Sequence, residues 1–201
     1  MCRFFAACLA SAFLLFSSLA LADVSGDTAP SDIALAPPSN PLFVKAQALL
    51  DSKETTEKAK VVTARLVEKW RKKGWPIPEL KAWDEIWDVP KGSLKVEMVC
   101  DKELTPGEGY QLGYYASVEI PESAHGQLVV EMHTIQHNST GFSAGLARRG
   151  QPVRFRQNSN LLAPNSGEYK ALYILAVRTV KDGKARVLDA AELSFTVVAD
   201  E

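Results

Sequence analysis

The sequence predicts a mainly β protein, an antiparallel β-sandwich over residues 91–201 packed against an N-terminal helical segment over residues 41–90. Three observations carry that reading. The apolar period shortens from about 3.6 to 2 at Leu94. Beyond that point short alternating runs are separated by turn residues, as in sandwiches. One run, 168–180, is apolar on both faces and therefore needs cover on both. Composition agrees: 201 residues, 46% hydrophobic and 23% charged, with 12 glycines and 11 prolines, exclude collagen-like and wholly disordered chains. A formal charge of −1 argues against a dedicated nucleic-acid binder.

The first 22 residues have the pattern of an export signal: Arg3, an apolar stretch from Phe4, then Ala20-Leu21-Ala22 before Asp23. Cleavage there removes Cys2 and Cys8 and leaves Cys100 alone, expected as a buried small hydrophobe. Residues 23–40 are small, polar and Pro-rich, the composition of a flexible linker. Asn40-Pro41 is a helix start, with Asn as N-cap and Pro at the first helical position. Residues 42–73 lack Gly and Pro and form one long helix or two short ones, ended by Gly74 and Pro76. Pro78 is expected to open a further helix, 79–87, presenting Leu80, Trp83 and Trp87 on one face.

Leu94, Val96, Met98 and Cys100 alternate with other residues, as do Tyr110, Leu112, Tyr114, Ala116, Val118 and Ile120. Further strands are expected near 127–135, 152–157, 168–180 and 185–198, with Asp182-Gly183 as a hairpin turn. In 168–180, Ala171, Tyr173, Leu175 and Val177 face one way and Leu172, Ile174 and Ala176 the other, so the tryptophan-bearing helical region is the expected cover. Gly167-Glu168-Tyr169 before this strand resembles the corner tyrosine of immunoglobulin-like sandwiches, which implies that variety of antiparallel fold. The predicted core runs from Val96, Met98 and Leu112 through Val130 and Tyr173 to Phe195 and Val197.

Several motifs suggest chemistry. Gly141-Phe142-Ser143-Ala144-Gly145 matches G-x-S-x-G, but His125, His133 and His137 all precede the serine, against the order of that hydrolase fold. A Gly/Ser loop is the expectation there. Glu131, His133 and His137 form a weak metal candidate: on a strand, Glu131 and His133 share the outward face while Val130 and Met132 face the core. With neither HExxH nor a cysteine pair, solvated histidines are expected here and not metal ligands. Gly107-Glu108-Gly109 has no helix behind it, so it is a turn and not a phosphate cradle; no cofactor is expected.

Charge is unevenly distributed. Residues 41–73 hold nine basic and four acidic side chains, and 79–122 hold four basic and ten acidic, so attraction between these segments is expected to neutralise part of both. Arg148, Arg149, Arg154 and Arg156 form a compact basic group and the candidate site for an anionic partner. The functional expectation is an exported, periplasmic or secreted, non-catalytic interaction module. Its partner is another protein or an anionic envelope component; neither nucleic acid nor stable membrane insertion after signal cleavage is expected. A glycan- or metal-binding protein is the alternative, with a serine hydrolase third.

Overall fold

The computed structural model describes residues 40–199 apart from 87, 89, 101–102 and 137–138. The expected signal (1–22), the linker (23–40) except Asn40, Trp87 and His137 lie outside the described residues.

Residues 42–73 form two helices, α1 (Pro41–Leu50) and α2 (Lys53–Lys72). The Asn40 side chain accepts from the Leu42 amide at 2.9 Å, and Pro41 fills the first turn, as the sequence predicts. The break falls at Asp51-Ser52. There the Ser52 hydroxyl caps α2 by accepting from the Thr55 amide, and the extended Ser52 backbone turns the chain. Gly74, at φ +68°, ends α2 in a left-handed conformation that a side chain would strain.

The expected helix over 79–87 does not form in its described part, residues 79–86. That stretch is irregular, with a single 3-10 turn at Trp83–Glu85. Tertiary hydrogen bonds outweigh its helical periodicity: the Gln127 amide donates to the Glu79 carbonyl at 2.7 Å and accepts from the Lys81 amide at 2.8 Å. Trp83 is half-buried against the edge of the main core.

Seven strands follow among the described residues: β1 (Lys91–Val99), β2 (Gly109–Glu119), β3 (Leu128–Gln136), β4 (Ser139–Leu146), β5 (Val153–Leu162), β6 (Gly167–Thr179) and β7 (Ala185–Val197). They make two antiparallel sheets, ordered β1-β2-β5 and β4-β3-β6-β7. Inner faces of both sheets share one core, in which Leu112, Tyr114 and Val118 of the first sheet join Val130, Met132, Tyr173, Leu175 and Val197 of the second. The predicted core residues Val96, Met98, Phe155 and Phe195 pack at its margin. Tyr169 donates its hydroxyl to the Asn165 carbonyl at 2.5 Å, the back-bond of a tyrosine corner. Relative to the constant-type immunoglobulin arrangement, in which the fourth strand joins the first two, β4 pairs here with β3.

Strand β6 is buried on both faces, as its sequence requires. Its second face, Leu172, Ile174 and Ala176, is covered by Ala46 and Leu50 of α1. Two expectations are corrected. The G-x-S-x-G stretch is part of edge strand β4 and not a loop, because backbone pairing with β3 runs through Gly141, Ser143 and Gly145. Cys100 is exposed, since β1 ends at Val99 and the next residue leaves the sheet at its open end.

Candidate functional site

On the helix-covered face of the second sheet, β3 and β6 bring together Glu131, His133 and Arg178. Glu131 and His133 share the outward face of β3 as predicted, but they are not solvated. Glu131 is 0% exposed, and Arg178 is 2% exposed. The β3–β6 register sets Val129 opposite Arg178 and so makes Glu131 its diagonal neighbour. The guanidinium donates from Nε to Glu131 Oε1 at 2.7 Å and from Nη2 to Oε2 at 3.2 Å. His133 Nε2 lies 3.0 Å from the same Oε2, and its ring packs against Phe142 of β4. Arg178 also donates to the carbonyls of Gly183 (2.8 Å) and Leu50 (3.4 Å), joining the β6–β7 hairpin and the end of α1 to β3.

Burial alone pushes the Glu131 carboxyl up, but the hydrogen bonds and charges of His133 and Arg178 outweigh it and hold it below its ordinary value. Both carboxylate oxygens are engaged, so a metal at Glu131 would have to displace Arg178. Among the described residues no three His, Cys, Asp or Glu side chains converge as a ligand set. The expectation of exposed side chains is overturned because the helices cover this face; the signal for it was Arg178 itself, a charge that directly follows the uncharged, mostly apolar run Ala171–Val177.

Ser143 stands opposite Met132 and therefore on the inner face of its sheet, where it hydrogen-bonds the Tyr114 side chain. His133 is on the outer face, so the sheet separates the two. His125 Nδ1 accepts from the Arg149 amide at 2.7 Å.

The four candidate arginines divide between two places. Arg154 and Arg156 lie on the exposed face of edge strand β5, opposite Ser117 and Tyr115. Arg149 pairs with Glu122 at 2.5 Å, both side chains exposed. Arg148 instead stacks on tryptophan: its guanidinium carbon lies 4.0 Å from the Trp75 ring centroid and 5.8 Å from that of Trp70. The backbone holds it there through a tight Arg148–Gln151 turn with Gly150 at φ +66°.

Arg148 lies at the end of a basic stripe. Lys58, Arg65, Lys69 and Lys73 fall at spacings of seven, four and four, so they share one face of α2, and all four are exposed. Among the described residues, the ion pairs that α2 makes, Lys60–Glu57 and Lys72–Glu68, stay on the helix. The expected neutralisation against 79–122 is therefore not what these pairs do, because α2 packs towards β4 while the acidic segment lies mainly on the other sheet.

No protein-family model matches the chain, and no curated protein does. Among solved structures, a structural-genomics target from Bordetella pertussis described as an ApaA protein aligns at 15% identity and TM-score 0.30, covering 54% of this chain and 94% of that one. A second structural-genomics target aligns at 12% identity and TM-score 0.26 over 54% of this chain and 86% of its own. A Listeria innocua β-glucosidase solved with gluconolactone aligns at 16% identity and TM-score 0.23; the match covers 53% of this chain and 17% of the enzyme. At these scores none bears on what this chain does. No helix among the described residues is long and apolar enough to cross a membrane.

Proposed function

We propose that the chain is an exported, non-catalytic interaction module that binds an acidic partner, a protein or an anionic envelope component, along the α2 stripe and Arg148. The observation that carries this reading is a row of exposed cations, Lys58, Arg65, Lys69 and Lys73, with no carboxylate paired to them among the described residues. Like charges aligned on one helix face repel one another, and an acidic surface relieves that repulsion while steering association. The export pattern of residues 1–22 supports placing the partner outside the cytoplasm.

The test is binding to an oligo-glutamate peptide followed by fluorescence anisotropy. Wild type binds, and raised salt weakens the complex because the contact is surface electrostatics. Lys58→Ser with Arg65→Ser weakens it further at low salt, whereas Arg154→Ser with Arg156→Ser leaves it unchanged. Equal loss in both pairs, or salt-independent binding, rejects the stripe as the contact.

A further inference from the structure

A cavity of about 120 Å³ opens where the stripe ends. Trp70, Trp75, Leu66 and Leu146 line it together with Lys69, Lys73 and Arg148; no carboxylate does, among the described residues. The three cations reach it from two directions. Lys69 and Lys73 belong to the last turn of α2 and its cap, where cations offset the negative end of the helix dipole. That accounts for the lysines but not for Arg148, which the β4–β5 connection delivers from another part of the chain. Lys73 Nζ lies 4.7 Å from the Trp75 centroid, so two cations share one indole.

Stacking engages the flat face of the guanidinium and leaves its N–H edge, the part that grips an oxyanion in a two-point fork, without a hydrogen-bond partner among the described residues. The Trp70 ring is fixed as well, by donation of its Nε1–H to the Pro76 carbonyl at 3.2 Å and by an edge contact with Trp75 at 5.0 Å. A preformed, partly apolar cavity with a free guanidinium edge is a binding element that loses little order on occupation.

We propose that this cavity is a carboxylate subsite, taking the side chain of an aspartate or glutamate on the acidic partner; it deepens the binding role proposed above and rests on it. Two features select a carboxylate over a phosphate. Phosphate sites favour backbone amides at a helix N-terminus, and this cavity meets the C-terminal end of α2, whose negative dipole penalises a dianion more than a monoanion. The leucine and indole carbons in the lining also suit the methylene groups next to a carboxylate.

The same oligo-glutamate titration tests it, read through tryptophan emission, with inorganic phosphate and phosphatidylglycerol vesicles as parallel probes. Wild type shifts its emission on adding the peptide, and Trp75→Phe removes most of the shift. Arg148→Gln weakens binding about tenfold, the loss of one charge-assisted fork; Arg148→Lys does not restore it, and Lys69→Gln weakens it in an otherwise intact fold. Lys58→Ser with Arg65→Ser lowers affinity but keeps the emission shift. If Arg148→Gln and Lys69→Gln both bind as wild type while the Lys58/Arg65 pair does not, the subsite is wrong and the wider binding role survives. If wild type does not bind the peptide, both fall. Phosphate or the vesicles eliciting the shift more strongly than the peptide overturns the carboxylate assignment.

Discussion

Replacing Arg178 by Met keeps the length and apolar stem of the side chain but leaves Glu131 buried without its cation. In the wild type that carboxylate takes two guanidinium hydrogen bonds at 2.7 and 3.2 Å in a site with no exposure. The variant relieves the unpaired charge when the carboxyl takes a proton. Keeping a glutamate neutral at pH 7 against an unfolded pKa near 4.3 costs about 2.7 pH units at 1.36 kcal/mol each, close to 3.7 kcal/mol. That figure is the ceiling of this contribution. The lost bonds to Leu50 and Gly183 add to the cost, so the expected destabilisation at pH 7 is about 3–4 kcal/mol, in the range for breaking one side of a buried pair.

The pH dependence gives the sharper test. Wild-type Glu131 has its carboxyl held below the ordinary value, so its contribution is complete above the unfolded pKa and disappears only as pH falls through the folded one. The folded variant instead carries a proton that the unfolded chain lacks. Its deficit therefore shrinks as pH falls from 8 to 5. Urea unfolding of both proteins across that range, followed by tryptophan emission, measures it. A deficit below about 1 kcal/mol, or one independent of pH, refutes the account of this cluster. Adding Glu131→Leu to Arg178→Met should recover stability relative to Arg178→Met alone, because no buried charge then remains.

Trp70→Ala should cost about 3–5 kcal/mol in the same assay, since the ring is 5% exposed and its loss empties the seam between α2 and the His125 region. Gly126→Ala should lower the melting temperature of the purified protein, as the residue has φ +69° and an added Cβ would meet Pro78 Cδ at 2.7 Å. Tyr169→Phe should cost about 1 kcal/mol by urea titration, the worth of the corner hydrogen bond to Asn165. Cys100 should react with a thiol reagent in the native state and be the labelled position in a peptide map, because it is exposed.

The arrangement that most depends on distance along the chain is also the least visible in it. Local patterns sufficed for the Asn40 cap, the alternation of β1 and β2, the Asp182-Gly183 turn and the need for cover on both faces of β6, because each is set by backbone geometry over a few residues or by one strand's own side chains. Glu131 and His133 could be placed on a common face by their spacing of two. Their partner Arg178, 47 residues beyond Glu131, could not, because only the β3–β6 register makes those positions diagonal neighbours. Helical spacing in 79–87 misled for a related reason: the Gln127 amide offers the backbone of Glu79 and Lys81 partners that a local pattern does not contain. The four arginines looked like one group because nine positions span them, yet β4 and β5 belong to different sheets, and the connection sends Arg148 to Trp75 and Arg156 to the far face. The sequence by itself determined the helical character of 42–73, the strands other than β4 and which of their faces are apolar, since those follow from short-range periodicity. Only the tertiary structure decided which charges are buried together and which are left facing solvent, since that depends on strand pairing and helix docking between distant parts of the chain.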